Sequence, residues 1–189
     1  MDDGSPPDEV RTAKEVAIRS IALFAVIGLA FGAERPTVLD WLSENNLWSE
    51  LAPSEAGFID TPTPSQKQIV NSGWLSERLV VLLWALGAVK QLPPANEQCD
   101  TAVFQEILPP FAAVSVPQFI SSAGLRSDEE LIAMADAILD LHWEARDAKL
   151  KGREPLKPVD IEVIQERHHA INWVIGYDGS DWDEVTSDT

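Results

Sequence analysis

The stretch from Thr63 to Val89 restricts the fold of this chain most strongly. Thr63 and Gln66 form a capping-box pattern, in which two side chains satisfy free backbone N–H groups in the first turn of a helix. The block Leu79–Val89 follows without a charged residue and is apolar on every side of a helix, so it needs neighbours on several sides. The sequence therefore predicts a buried central helix, about 64–89, around which the rest of the chain packs.

Further helix-start signals divide the rest of the chain, whereas the alternation typical of strands never persists. Two more capping boxes mark such starts, Thr12 with Glu15 and Ser127 with Glu130. Three prolines do so as well: Pro36 at a first helical position, Pro53 just before a short helix and Pro158 at the start of the last one. We predict an all-α fold, a single-domain irregular helical bundle of about six to seven helices. Residues 1–10 are predicted to be a disordered acidic lead-in, and residues 11–189 form the helical domain. The stretch before Leu125 is predicted to be rich in loops.

The seven tryptophans are divided between the predicted core and the predicted surface. Trp41 and Trp48 flank a short helix, where aromatic side chains can anchor a protein partner. Four others fall on apolar helix faces and are predicted to be core residues: Trp74, Trp84, Trp143 and Trp173.

The charge of the chain limits its partners. Thirty-one acidic residues against fourteen basic ones give a formal net charge of −17, which opposes binding to nucleic acid and to anionic membranes. An acidic surface suits either solubility or docking of a basic protein, and composition alone does not separate the two. The single cysteine, Cys99, forms no intrachain disulfide and indicates a reducing compartment, so we expect a cytoplasmic protein. The oligomeric state is left open.

Four ionisable residues fall on or beside apolar helix faces: Glu77, Asp136, His142 and Arg167. Buried ionisable groups must be paired or hydrogen-bonded, since an unpaired one costs several kcal/mol. One interpretation is a set of structural hydrogen bonds between helices. The other is a shared polar pocket with perturbed pKa values, which would be the place for acid–base chemistry.

Metal and cofactor signals are weak in this sequence. Glu166 and His169 have the spacing of one ligand pair from a carboxylate-bridged di-metal bundle, but such sites need a second pair, which the chain lacks. Gly-rich phosphate loops and nucleophile motifs do not occur either. We therefore predict no metal and no cofactor, and no catalytic motif supports an enzyme.

The C-terminal segment 177–189 is acidic, yet Trp182 and Val185 stand at helical i,i+3 spacing within it. A free acidic tail gains nothing from an indole, so we predict that the segment folds back and buries Trp182 on the helical body. Asp183 and Asp188 could then reach basic side chains such as Arg19 or Arg167. The docked tail is predicted to act as a clasp over the core or as a lid over a pocket.

Several separated motifs resemble the bacterial family known as domain of unknown function 4272. The resemblance covers roughly residues 11–189 and is carried, in chain order, by Trp74-x-x-Glu77, Trp84-Ala85-Leu86-Gly87, His142-Trp143, Glu166-Arg167-x-x-Ala170-x-Asn172-Trp173 and Trp182-Asp183-x-Val185-x-x-Asp188-Thr189. The resemblance supports the domain boundaries and implies no particular activity.

Two functions from different classes follow from these observations. The first is a non-enzymatic intracellular protein-interaction module, binding a basic partner such as a toxin or a nuclease. The alternative is an enzyme or small-molecule binder that uses a polar pocket formed by Glu77, Asp136, His142 and Arg167. Whether these four residues converge on a cavity is the observation that separates the two.

Overall fold

A computed structural model of the chain describes residues 9–187. Within this range every regular element is helical, which confirms the predicted all-α fold. The described residues form eight α-helices: α1 (Ala13–Ala30), α2 (Arg35–Glu44), α3 (Pro53–Asp60), α4 (Gln66–Ala85), α5 (Ala102–Ile107), α6 (Val116–Ser121), α7 (Asp128–Lys151) and α8 (Ile161–Ile175). Short 3-10 turns occupy Trp48–Glu50 and Tyr177–Gly179.

The centre of the fold is α4, which packs against α1 on one side and α8 on another, while α7 packs on α8. Every residue from Leu79 to Ala85 is buried, as the apolar block predicts. The predicted capping box at Thr63 and Gln66 is wrong by two residues. Ser65 caps the helix, and the side chain of Gln68 accepts a hydrogen bond from the Ser65 backbone N–H. The helix ends at Ala85 rather than near residue 89, and Gly87 follows in a left-handed turn with φ of 72°.

Caps fix the ends of the other long helices. The capping boxes at Thr12 and Ser127 are both present, and Gly152 ends α7 in the left-handed conformation. Gly176 ends α8 in the same way, and a Cβ there would lie 2.1 Å from the Glu9 carbonyl oxygen, so only glycine fits. This close approach brings the start of the described chain against the end of α8, where Arg11 N–H donates to the Val174 carbonyl oxygen at 2.8 Å.

Further details differ from the sequence-based expectations. The last helix, predicted to begin at Pro158, begins at Ile161, because the Asp160 side chain caps it. Residues 116–121, expected in a loop, form α6, because Ser115 caps the segment and Pro117 suits its first turn. Trp143, expected in the core, is 55% exposed because it lies on the side of α7 turned away from α8. Val10, at the end of the predicted lead-in, is partly buried against the core, and residues 1–8 lie outside the described part of the chain.

No helix within residues 9–187 combines the length and the apolar character that crossing a membrane requires.

Candidate functional site

Glu77 and Arg167 form a buried ion pair between α4 and α8. Arg167 Nε donates to Glu77 Oε2 at 2.9 Å, Nη2 lies 2.8 Å from the same oxygen as an ion pair, and both side chains are at most 2% exposed. Arg167 also donates to the carbonyl oxygens of Pro93 and Glu97, while the Cys99 N–H donates to Glu77 Oε1 at 2.6 Å. The pair therefore fastens the 93–99 loop to the two helices.

The carboxylate of Glu77 and the guanidinium of Arg167 are therefore already hydrogen-bonded to each other and to the loop. Little hydrogen-bonding capacity remains for a substrate. The environment also suppresses the nearby thiol, since burial, with the Glu77 carboxylate adding to it, raises the pKa of Cys99 to about 12. A thiol with so high a pKa has almost no thiolate at neutral pH. Glu77 and Arg167 thus hold the fold together rather than facing an open site.

His142 and Asp136 do not join that pair. His142 is buried on the side of α7 that meets α8, where its Nδ1 lies 2.9 Å from Nδ1 of His168. Burial lowers the pKa of His142, and the Arg146 cation adds to this effect. Asp136 lies on the opposite, exposed side of α7. The structure therefore brings Glu77 to Arg167 and His142 to His168, and none of the cavities described below is lined by any of the four predicted pocket residues.

A polar cleft of about 890 Å³ opens elsewhere, between α3, α4, α8 and the C-terminal segment. Glu166 and His169 line it, as do Arg78, which is paired with Glu166, and the nearly buried Glu55. Burial raises the pKa of Glu55 even though the Arg19 guanidinium opposes this effect. These residues come from three separate helices, so no local sequence pattern could have grouped all of them.

His169 is the most unusual group on the wall of this cleft. Burial, followed by the nearby Arg78 cation, lowers its pKa to about 3, so the imidazole is neutral at pH 7. The ring packs edge to face on the indole of Trp182, while its buried Nε2 has no hydrogen-bond partner. Glu55 Oε1, on the same cleft, also lacks one. Buried polar atoms without partners are rare in folded proteins and mark places where a ligand or a water can bind.

A metal site receives no support from this geometry. Glu166 is held by Arg78, and the ring of His169 packs against the indole of Trp182. Within residues 9–187 no group of three or more His, Cys, Asp or Glu side chains is arranged to hold a metal ion. Glu166 and His169 instead belong to the wall of the polar cleft.

The C-terminal segment lies over the helical body, with Trp182 only 5% exposed. Its indole meets the rings of His169 and Trp173 edge to face, with centroids 5.0 and 5.2 Å away, and the guanidinium of Arg19 lies 5.0 Å from its centroid. Such pairs contribute about 0.5–1.5 kcal/mol each beyond the burial of apolar area. Val185 in the same segment is 7% exposed. The segment therefore covers the core beside the polar cleft, which both Trp182 and Val185 line.

Asp183 has a partner other than the expected arginines. Its carboxylate accepts hydrogen bonds from the backbone N–H of Ser54 at 2.9 Å and from the Ser54 hydroxyl at 2.8 Å, so it caps the start of α3. Further along, Asn172 Nδ2 donates to the Thr186 carbonyl oxygen at 3.0 Å. Asp188, the other predicted anchor, lies outside the described residues.

An acidic groove of about 480 Å³ lies on the other side of Trp182, between the start of α1, the 3-10 turn at Trp48–Glu50 and the C-terminal segment. Its two arginines already donate to the protein: Arg11 to the Ser180 carbonyl oxygen and Arg19 to that of Glu50 and to Glu55. Five carboxylates line the groove: Glu15, Glu50, Asp181, Asp183 and Glu184.

The model of one protein family, described as Domain of unknown function (DUF4272), matches residues 3–185 of the chain. This chain belongs to the DUF4272 family. The match covers nearly the whole sequence, including both members of the Glu77–Arg167 pair and the buried Trp182. No curated protein and no solved structure matches the chain. Membership in DUF4272 brings no activity with it, so any functional conclusion must come from the geometry.

Proposed function

We propose that the protein is a non-enzymatic, cytoplasmic interaction module that binds a basic protein segment in the acidic groove. The groove carries the proposal, because its carboxylates outnumber its arginines and both arginines are already engaged with the protein. Glu50, Asp181 and Glu184 are exposed on its rim. Carboxylates at a rim attract a basic partner from a distance and set its orientation.

The arrangement of the interior supports the same function. The predicted acid–base residues are divided between separate structural contacts, with Glu77 on Arg167 and His142 on His168. An enzyme needs its acid and base within hydrogen-bonding reach of a common reacting group. The buried ionisable residues pair with one another, so the charges that a partner can contact are those on the surface. The net charge of −17 makes a basic partner the favoured one.

We expect a lysine- and arginine-rich peptide to bind the protein, and the triple variant Glu50→Gln/Asp181→Asn/Glu184→Gln to bind it about tenfold more weakly. Fluorescence anisotropy of the labelled peptide at low and physiological salt measures this. The matched control, Asp60→Asn/Glu97→Gln/Glu106→Gln, removes three exposed carboxylates that lie outside the groove. Equal losses in the two triple variants would show that only net charge matters and would contradict a specific groove.

A second candidate function is binding of a small neutral polar molecule in the cleft beside His169. The unpartnered Nε2 favours it, because one nitrogen of a neutral imidazole carries the proton and the other presents a lone pair, so Nε2 offers a ligand either a donor or an acceptor. Asn71, on the α4 side of the cleft, supplies a further amide group. The ligand class that matches is a molecule with hydroxyl or amide donors and no net charge.

We expect neutral polyols, sugars or primary amides at millimolar concentration to shift the ¹⁵N resonance of His169 Nε2. An Asn71→Ala variant should weaken this binding, whereas removal of an exposed amide outside the cleft, Gln105→Ala, should not. If no probe in these classes moved the Nε2 resonance, the cleft would not be a site for such ligands.

A further inference from the structure

An apolar cavity of about 380 Å³ lies between the C-terminal half of α1, helix α2, helix α5 and the loop that follows α5. Its floor is part of the core, since Phe104 is fully buried and Ile27 and Val38 are at most 8% exposed. Natural small-molecule sites measure about 300–1,000 Å³, and a dry cavity of about 150 Å³ already holds benzene. The apolar cavity shares no lining residue with the polar cleft or the acidic groove.

Aromatic rings are concentrated on the wall of this cavity. Four of the six phenylalanines of the chain line it together with Trp41: Phe24, Phe31, Phe104 and Phe111. Phe24 and Phe111 meet edge to face with their ring centroids 6.0 Å apart, while Phe31 and Phe111 are 62% and 64% exposed. A planar aromatic guest can meet these rings in the offset or edge-to-face arrangements that aromatic pairs prefer, and it would cover the two exposed rings.

The charge of the wall limits the guest to uncharged molecules. Among the described residues that line the cavity none is ionisable, although 24% of the residues of the chain are charged. The polar side chains on the wall are those of Thr37, Thr101 and Gln105, which are neutral. An ion that entered the cavity would lose its hydration without gaining an opposite charge, so binding of an ion is disfavoured whatever its sign.

The cavity suits a small molecule better than a peptide strand. Each residue of a peptide carries an N–H and a carbonyl group, and these groups need hydrogen-bond partners when they are buried. The turn between α1 and α2 uses its own backbone groups, because the Ala33 N–H donates to the Gly28 carbonyl oxygen at 2.9 Å. In the same turn the Phe31 N–H donates to the Ile27 carbonyl oxygen at 2.9 Å. The wall therefore matches a guest with one or two neutral polar groups.

Gly28 keeps the cavity open on the α1 side. It lies inside the helix, where glycine is less favourable than alanine. A Cβ at this position would lie 3.9 Å from the Ala33 Cβ, which is an ordinary contact distance, so packing does not require glycine here. Gly28 and Ala33 both line the cavity, and the missing side chain adds to its volume. We propose that the protein binds a small, uncharged aromatic molecule, about the size of two fused rings, in this apolar cavity.

Three probes that share one ring system but differ in charge test the site on the full chain at pH 7. They are neutral 2-naphthol, anionic 2-naphthoate and cationic 2-naphthylmethylammonium, and ¹³C-methyl NMR titration measures their binding. We expect 2-naphthol to shift the methyl signals of Ile27 and Val38, which line the cavity, with a dissociation constant on the order of 100 μM or tighter. Both ions should shift these signals with dissociation constants at least about tenfold higher. The methyl signals of Val185, which lines the polar cleft, should not move with 2-naphthol.

Gly28→Leu should fill the cavity and raise the dissociation constant of 2-naphthol at least about tenfold, while circular dichroism shows no loss of helix, since leucine favours a helix over glycine. The matched control is Gly57→Leu, which replaces a glycine of α3 that also has open space around it but does not line the cavity. This control should leave the dissociation constant unchanged.

Four results would overturn the proposal. They are no shift of Ile27 and Val38 by 2-naphthol, tighter binding of either ion at these methyl groups, equal effects of the two leucine variants, and weaker 2-naphthol binding as the protein concentration rises. The last result would show that a second copy of the chain occupies the cavity. The groove variants described above change no residue that lines the apolar cavity, so the two proposals fail independently.

Discussion

Glu77→Gln is expected to lower the free energy of unfolding by about 3–5 kcal/mol, since it leaves the Arg167 guanidinium charged and unpaired in the interior. Arg167 is only 2% exposed, so water cannot replace the lost carboxylate. The change also weakens the acceptor of the Cys99 N–H, which secures the 93–99 loop. The expected loss is large because one side chain stabilises two helices and a loop at once.

Urea denaturation followed by circular dichroism measures this loss. The matched control is Lys151→Ala, which removes a surface ion pair with Asp147 and should cost less than about 1 kcal/mol. Hydrogen exchange provides a local readout, because the Cys99 amide should exchange faster in Glu77→Gln. Similar midpoints for Glu77→Gln and Lys151→Ala would show that the buried pair contributes no more than a surface pair.

Trp182→Ala is expected to destabilise the protein by about 3–5 kcal/mol, the range for removing a buried tryptophan from a packed core. The indole contacts the rings of His169 and Trp173 and separates the polar cleft from the acidic groove. Its removal leaves a cavity at the junction of α8 and the C-terminal segment. Thermal and urea unfolding at pH 7 measure the change.

Two further variants test whether the loss of stability in Trp182→Ala comes from the burial of Trp182 by the docked C-terminal segment. Trp48→Ala removes a tryptophan that is 36% exposed and should cost less than half as much as Trp182→Ala. A chain that ends at Gly179 loses both Trp182 and the Asp183 cap on α3, so its melting temperature should fall at least as far as that of Trp182→Ala. If the shortened chain melted with the full one, the docked segment would contribute nothing to stability.

The local features of the fold were largely predictable from short segments. Each of these features depends on neighbours within a few residues: the capping pairs at Thr12 and Ser127, the glycine ends of α7 and α8, and the apolar block of α4. The cap of α4 was placed two residues early because Thr63 and Ser65 both precede a glutamine by three positions. Local chemistry allowed either residue to act as the cap, and only the folded chain selected Ser65.

Which side of a helix faces the core was less predictable. Along α7 the sequence offers two apolar stripes, one through Leu131 and Ile138 and another through Leu139 and Trp143. The structure buries the first against α8 and exposes the second, along with Asp136. A helix with apolar residues on two sides does not reveal which side has a neighbour, because that depends on where α8 packs.

By itself the sequence determined the all-α class, the central helix and the family, because these depend on periodicity, caps and motif order along the chain. Only the tertiary structure decided the partners of the ionisable residues: Arg167 for Glu77, His168 for His142 and Ser54 for Asp183. Those contacts join residues up to 129 positions apart. Such pairs depend on how helices pack, and packing is set by the shape of the whole core, which no local pattern contains.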